Sequence, residues 1–377
     1  MNARWHPPLV AGARVQASVD AGAVAHNLAV IRARADAAMP APRIWATAKA
    51  DAYGHGLARV MPGLKDADGI AVQQLPEAHA CRAAGWQGPI LVYGGLLSED
   101  DLALLDLPGL HLVISHEAQL DWLSATPPRP DAPAIWLRYD GDIRLAGFRR
   151  EAYLRAYERC AALAAQHRVG ALGHLSHYAR AEDEDGVADA DASFRQAIAG
   201  LPGPVSTCNS AALLRHPAHV AATDWIRPGI ALYGVSPLAG VDGAALGLRP
   251  AMSLTARLFA VQTLQAGASI GYRSAFVAAH DMRVGLVSCG YSDGYPRHAG
   301  TGTPVLADGV MTRVLGRVTM DVMMIDLDGV DHAAPGMPVT LWGTPELPVE
   351  TVAASAGTIA AELLTGLTAR VPITARP

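Results

Sequence analysis

Residues 47–56 read TAKADAYGHG. The segment ahead of them, residues 43–48, is a short apolar run of strand character. Behind them, residues 56–64 carry Leu57, Val60, Met61 and Leu64 on one helical face. Gly54 and Gly56 mark the tight turn between the two. This strand, turn and helix begin a repeating pattern. Apolar runs of strand length return at residues 69–72, 89–93, 110–115, 134–139, 171–174, 205–207 and 225–227, with helical periodicity between them at 77–84, 100–105, 153–165 and 193–199. An α/β alternation sustained over roughly 230 residues predicts a parallel sheet, and about eight strands predict its closure into a (β/α)8 TIM barrel. The chemistry of such barrels sits at the C-terminal ends of the strands. Lys49, His177, Asn209 and Arg227 all fall at or just beyond predicted strand ends.

Lys49 is also set apart by residue choice. Of 30 basic residues only Lys49 and Lys65 are lysines, so arginine serves wherever a plain positive charge suffices. A guanidinium stays protonated and is no nucleophile, whereas an ε-amine can lose its proton and attack a carbonyl. At the ordinary amine pKa of about 10.4, fewer than about one in 2,000 is neutral at pH 7. A working Lys49 therefore needs burial or a neighbouring cation to lower that value.

The 377 residues suggest two domains, and 51% hydrophobic against 17% charged residues is enough for a large core. A net charge of -5 without a basic stripe argues against nucleic acid and for a small-molecule ligand. No apolar run reaches the roughly 18 residues of a membrane span, and the first residues lack a signal-like apolar core. Cys81, Cys160, Cys208 and Cys289 form no closely spaced pair. Free thiols in a reducing cytoplasm are expected.

Past residue 243 the texture changes. Residues 252–259 alternate apolar and polar, and strand-like runs follow at 284–288, 310–315, 322–327 and 339–342 without long helices between them. That predicts a separate, mainly β domain. The expected division is a barrel over residues 15–243 and a β domain over 244–377, with the leader 1–14 alongside the second. Residues 14–19 and the helix behind Asp20 are expected to open the barrel part.

Resemblance enters with the motifs. KADAYGHG at 49–56, SHYARA at 176–181, CNSAALLRHP at 208–217, RPGIALYG at 227–234, SIGYRSAF at 269–276, CGYSDGYPR at 289–297 and GRVTMDVMMIDL at 316–327 together resemble bacterial alanine racemases, which use pyridoxal 5'-phosphate on a fold type III scaffold. The resemblance implies that Lys49 carries the cofactor and exchanges the substrate's Cα proton. It implies that Tyr53, Asn209, Ser210 and the backbone N–H groups of Gly229 and Ile230 hold the cofactor, and that Arg227 faces the pyridine nitrogen. An arginine there cannot accept the ring proton, which suits racemisation. Tyr272 matches the family's second base, contributed from the other subunit of a homodimer with composite sites, and His177 links that tyrosine to Arg227. Tyr291 and Met320 are implied near the substrate carboxylate, with Asp321 nearby. The implied reaction is interconversion of L- and D-alanine, serving D-alanine biosynthesis for peptidoglycan precursors or alanine catabolism. A racemase of broader small amino acids is the other reading. A fold-related amino-acid decarboxylase would want a carboxylate where Arg227 stands.

Some positions depart from the family pattern. LRYDGDIRLAGF at 137–148 is one residue out of register around Arg144, the residue expected to contact the substrate carboxylate and a cofactor oxygen. Arg138 stands where many relatives have a lysine able to carry a carbamate, and it cannot be carbamylated. Arg273 replaces the common glycine after Tyr272, and Ala369 replaces a tyrosine some relatives place on the phosphate. No metal is expected. His174 and His177 lack the further ligands of a zinc site, and the acidic run 182–185 lacks the spacing of a calcium loop.

Overall fold

A computed structural model describes residues 9 and 11–376; residues 1–8 and 10 of the expected leader lie outside the described residues. The strands in chain order are β1 (Val15–Val19), β2 (Arg43–Thr47), β3 (Gly69–Val72), β4 (Ile90–Val92), β5 (Leu110–Ile114), β6 (Ala134–Arg138), β7 (Leu172–Leu175), β8 (Val205–Ser206) and β9 (Trp225–Ile226). β2 to β9 close into a parallel barrel in which β2 also pairs with β9. The eight barrel strands coincide with the eight apolar runs. The stretch 100–105 is a 3-10 helix (Glu99–Leu104), and the helix Glu117–Ser124 follows β5 without having been anticipated.

The barrel interior is a cluster of Trp45, Ala71, Leu91, Val113, Trp136, Leu175 and Trp225. Trp45 stacks on Trp225 at 4.1 Å and meets Trp136 edge-on at 6.3 Å. Large rings fit because glycines face them: a Cβ on Gly69 would lie 2.2 Å from the Trp45 ring, and one on Gly173 2.9 Å from that of Trp136. Indoles thus plug the barrel.

The second sheet uses β10 (Met252–Leu264), β13 (Met282–Val287), β14 (Pro304–Ala307), β15 (Val310–Leu315), β16 (Met323–Asp326), β17 (Pro338–Trp342) and β18 (Ile373–Ala375), in the order β13-β16-β15-β14-β17-β10-β1-β18. β11 (Ser269–Ile270) and β12 (Phe276–Val277) make a separate hairpin. β10 pairs with β17 along its first half and with β13 along its second, so the sheet curls back on itself. One expectation is corrected here. β1 does not open the barrel but pairs antiparallel with β10 (Val15↔Ala256 to Val19↔Met252) and parallel with β18. Its five residues are all buried. A short apolar strand carries no label for its sheet, and its partners lie more than 230 residues away.

The β sheet is tied to the barrel mouth by its C-terminal helices, Val349–Ser355 and Ala360–Thr365. Glu350 accepts from the backbone N–H groups of Ser236 (2.9 Å) and Gly243 (3.3 Å). Ile359, between the two helices, reaches the barrel mouth. Among the described residues no helix is long and apolar enough to cross a membrane.

Candidate active site

Lys49 is placed by an unusual turn. Ala50, Asp51, Ala52 and Tyr53 all have φ between 51° and 58°, a left-handed turn built without glycine. Each such residue costs about 1–2 kcal/mol, so the surroundings must hold it. Glu77 accepts from Ala50 N–H at 2.8 Å with one carboxylate oxygen and from Gln73 and Gln74 N–H with the other. Asp51 accepts from Leu57 N–H at 2.7 Å. His55 Nδ1–H donates to the carbonyls of Ala52 and Tyr53, and burial lowers its pKa to about 4. A Cβ on Gly54 would meet the Leu364 carbonyl at 2.2 Å, so the C-terminal helix clamps the turn from outside.

The turn opens on a cavity of about 620 Å³ at the C-terminal ends of the barrel strands, lined by Lys49, Tyr53, His177, Asn209, Ser210, Arg227, Gly229 and Ile230 among others. Every residue expected to hold the cofactor is brought together here. Arg227 lies at the buried end. It donates to Ser206 Oγ (2.7 Å), to the carbonyls of Ser176 (2.6 Å) and Thr207 (3.1 Å), and to His177 Nδ1 (3.5 Å). Burial and the cations Arg227, Arg138 and Lys49 lower the His177 pKa to about 3. The imidazole is therefore neutral, and because Nδ1 accepts from Arg227 its proton sits on Nε2. The adjacent Tyr178 donates to Asp191 at 2.6 Å and anchors this loop.

Ser210 Oγ accepts from Gly229 N–H at 2.9 Å, which leaves its own hydroxyl proton for the cavity. Asn209 caps the helix Ser210–Arg215 by accepting from Ala212 N–H at 2.9 Å, so its amide N–H groups remain to donate. Ile230 N–H begins a 3-10 turn, where donors lack intrahelical partners. A Cβ on Gly229 would lie 2.5 Å from Tyr53 Oη, so only glycine admits the hydroxyl. Hydroxyl and N–H donors thus converge at one end, as an anion such as phosphate requires. At the other end the Lys49 amine stands 5.9 Å from the Tyr93 ring centroid. Burial first, then the Arg138 guanidinium, lower its pKa against the opposing pull of Glu77. Lys49, Arg138 and Arg227 share one cavity. The donor set suits an anionic carbonyl compound bonded to Lys49.

The remaining candidates lie elsewhere. Tyr272 starts a 3-10 turn on the β-domain hairpin, is 69% exposed and does not line the cavity. Tyr291 and Met320 are also exposed, and their loops are joined by Tyr291 N–H to Thr319 O and Ser292 N–H to Met320 O, both 3.0 Å. Asp321 accepts from Arg370 (2.7 Å) and Ser292 (3.1 Å), contacts that lower its pKa. Tyr291, Met320 and Asp321 therefore share one β-domain face away from this cavity. Arg144 departs from expectation too. Its neighbours Ile143 and Leu145 line the cavity, while Arg144, exposed with φ of 51°, joins a separate depression with Asp140 and Arg149. The loop is pinned by Phe148 N–H to Arg138 O (2.9 Å) and Asp140 N–H to Phe148 O (3.1 Å), which sets its register independently of Arg144.

Thr47, Tyr93, Arg138 and Ile359 also line the cavity. Tyr93 Oη and Thr47 Oγ1 are 2.9 Å apart. Thr47, Tyr93 and Arg138 lie at predicted strand ends, a signal that suffices to find them. Ile359 comes from the other domain and has no such signal. His174 and His177 point apart: His174 bonds Tyr153 Oη (2.8 Å) and the Pro202 carbonyl, outside the cavity.

Family models for the alanine racemase N-terminal and C-terminal domains match residues 19–237 and 251–375. The chain is 47% identical to the alanine racemase of Bordetella petrii over 95% of this chain and 98% of that protein. To that of Ralstonia pickettii it is 44% identical over 96% of each. The crystal structure of the biosynthetic alanine racemase from Pseudomonas aeruginosa superposes with a TM-score of 0.87 at 37% identity, covering 97% of this chain and 99% of that one.

Proposed function

The chain belongs to the alanine racemase family, and from that premise we propose that it interconverts L-alanine and D-alanine using pyridoxal 5'-phosphate. The observation that carries the reading is the shared cavity of Lys49, Arg138 and Arg227, with an anion cradle at one end and an amine of lowered pKa at the other. When bound, the cofactor supplies an electron sink that loosens the substrate's Cα–H bond. Tyr53, Ser210, Asn209 and Ile230 N–H would hold the phosphate end. Arg227, which only donates, would face the ring nitrogen and could not accept a proton from it. Lys49 would hold the cofactor's carbonyl end, and its amine would remove or return the substrate's Cα proton on one face.

The opposite face needs a second acid–base group. Tyr272 of a second copy fills that role, since an exposed phenol that does not line the Lys49 cavity of its own chain is free to enter a neighbour's. The neutral His177 presents Nε2–H to that phenol and couples it to Arg227. Tyr291, Met320 and Asp321 of the second copy then narrow the substrate end for a small side chain. The four buried, unpaired cysteines suit a reducing cytoplasm. Nothing at Arg227 offers the carboxylate that a decarboxylase would need.

Subunit mixing tests the composite site. Lys49→Ala and Tyr272→Phe are each expected to abolish racemisation. After equal mixing and subunit exchange, half the dimers are mixed and half of their sites are intact, so about one quarter of parental activity returns. A mixture no more active than its components would overturn the shared-site reading.

A further inference from the structure

Arg138 ends β6 at the cavity, and its Nε is buried with no hydrogen-bond partner among the described residues. The nearby Asp140 carboxylate offsets that charge only in part: it forms no ion pair with Arg138 among the described residues and lies 3.6 Å from Arg149. Arg227 and Lys49 close by are like charges, and Glu182, a carboxylate that also lines the cavity, is exposed and forms no ion pair with Arg138 among the described residues. A partly buried guanidinium without an anion is costly, and the fold tolerates it only where an anion arrives. The cofactor phosphate is not that anion, since its donors, Tyr53, Ser210 and Ile230, gather at the other end. Arg138 shares the end occupied by Lys49, where the reacting carbon sits. Resting on the functional reading above, we propose that Arg138 receives the α-carboxylate of the substrate, the role that resemblance would assign to Arg144.

The chemistry fits. A guanidinium binds a carboxylate through two parallel N–H donors, and Ile143 and Leu145 on the adjoining loop supply an apolar wall for a short side chain. Arg144, between them in sequence, faces the separate depression with Asp140 and Arg149. Fixing the carboxylate beside Lys49 also orients the Cα–H bond toward the amine.

The test compares Arg138→Gln, Arg138→Lys and Arg144→Gln as purified holoenzymes. Cofactor content is read from visible absorbance. Propionate, which has alanine's carboxylate without its amine, is titrated by its perturbation of that absorbance, and KM and kcat are measured for alanine. Arg138→Gln is expected to keep the cofactor, to bind propionate roughly 10- to 100-fold more weakly and to raise KM by a similar factor. Arg138→Lys should recover part of the loss. Parental propionate affinity in Arg138→Gln overturns the proposal, as does a loss of cofactor in step with the loss of propionate, or a loss carried by Arg144→Gln instead. Failure of the functional reading looks different, because the parent protein itself would not racemise alanine.

Discussion

Replacing Gly229 with alanine tests whether this residue exists to admit the Tyr53 hydroxyl. The added Cβ would lie 2.5 Å from Tyr53 Oη and 3.2 Å from Cζ. Ordinary carbon–oxygen contacts begin beyond about 3.2 Å, so the hydroxyl overlaps by roughly 0.7 Å, while the ring carbon need give by only about a few tenths of an ångström. Tyr53 has little room to retreat, because its ring packs on Tyr233 at 4.9 Å. Overpacking of this kind costs about 1–3 kcal/mol. Any backbone effect of alanine at Gly229 is common to the single and double variants. A cycle of Gly229→Ala and Tyr53→Phe therefore isolates the hydroxyl. Tyr53→Phe alone should change stability by less than about 0.5 kcal/mol, and in the double variant it should restore about 1–2 kcal/mol of what Gly229→Ala loses. Urea unfolding of cofactor-free protein, followed by tryptophan fluorescence, reads the barrel directly because Trp45, Trp136 and Trp225 lie inside it. Additivity within about 0.5 kcal/mol would refute the steric reasoning.

Gly54→Ala should cost at least about 3 kcal/mol, combining left-handed strain (φ 78°) with a backbone clash at Leu364. Gly85→Ala, at φ 93° but with nothing within 4 Å, should cost only about 1–2 kcal/mol, and equal urea midpoints for the two would contradict the clamp. Acid should destabilise through buried histidines. His177 (lowered to about 3), His55 and His111 (both to about 4) are neutral when folded but bind protons below about pH 6.5 when unfolded. Their stabilisation is complete above pH 6.5 and fades as pH falls toward 3–4, each contributing a slope of up to about 1.4 kcal/mol per pH unit. Histidine ring resonances that titrate near pH 6.5 at these positions would count against it.

Much of the site was readable along the chain because barrel strands alternate with helices at short range, and strand ends are where barrels keep their chemistry. Lys49, His177, Asn209 and Arg227 could be ranked from that rule alone. The same logic fails at Arg144. Successive loop residues serve different sides: with the loop pinned by the bonds between Phe148, Arg138 and Asp140, Ile143 and the exposed Leu145 border the cavity while Arg144 joins the separate depression. Tyr272 shows a related gap: its motif is visible, yet its exposed place away from the Lys49 cavity is set by the folded β domain.

Local pattern was sufficient for the eight barrel strands, the change of texture near residue 243 and the lysine at the cavity, since periodicity and residue chemistry act over a few neighbours. Whether β1 joins the barrel or the second sheet, how Ala50 to Tyr53 are held left-handed, and which arginine meets the cavity were decided by contacts between segments far apart in the chain. Hydrogen bonds to Glu77, the clamp of Leu364 and the pairing of Val15 with Ala256 set those outcomes, and none of them leaves a mark in the neighbouring sequence.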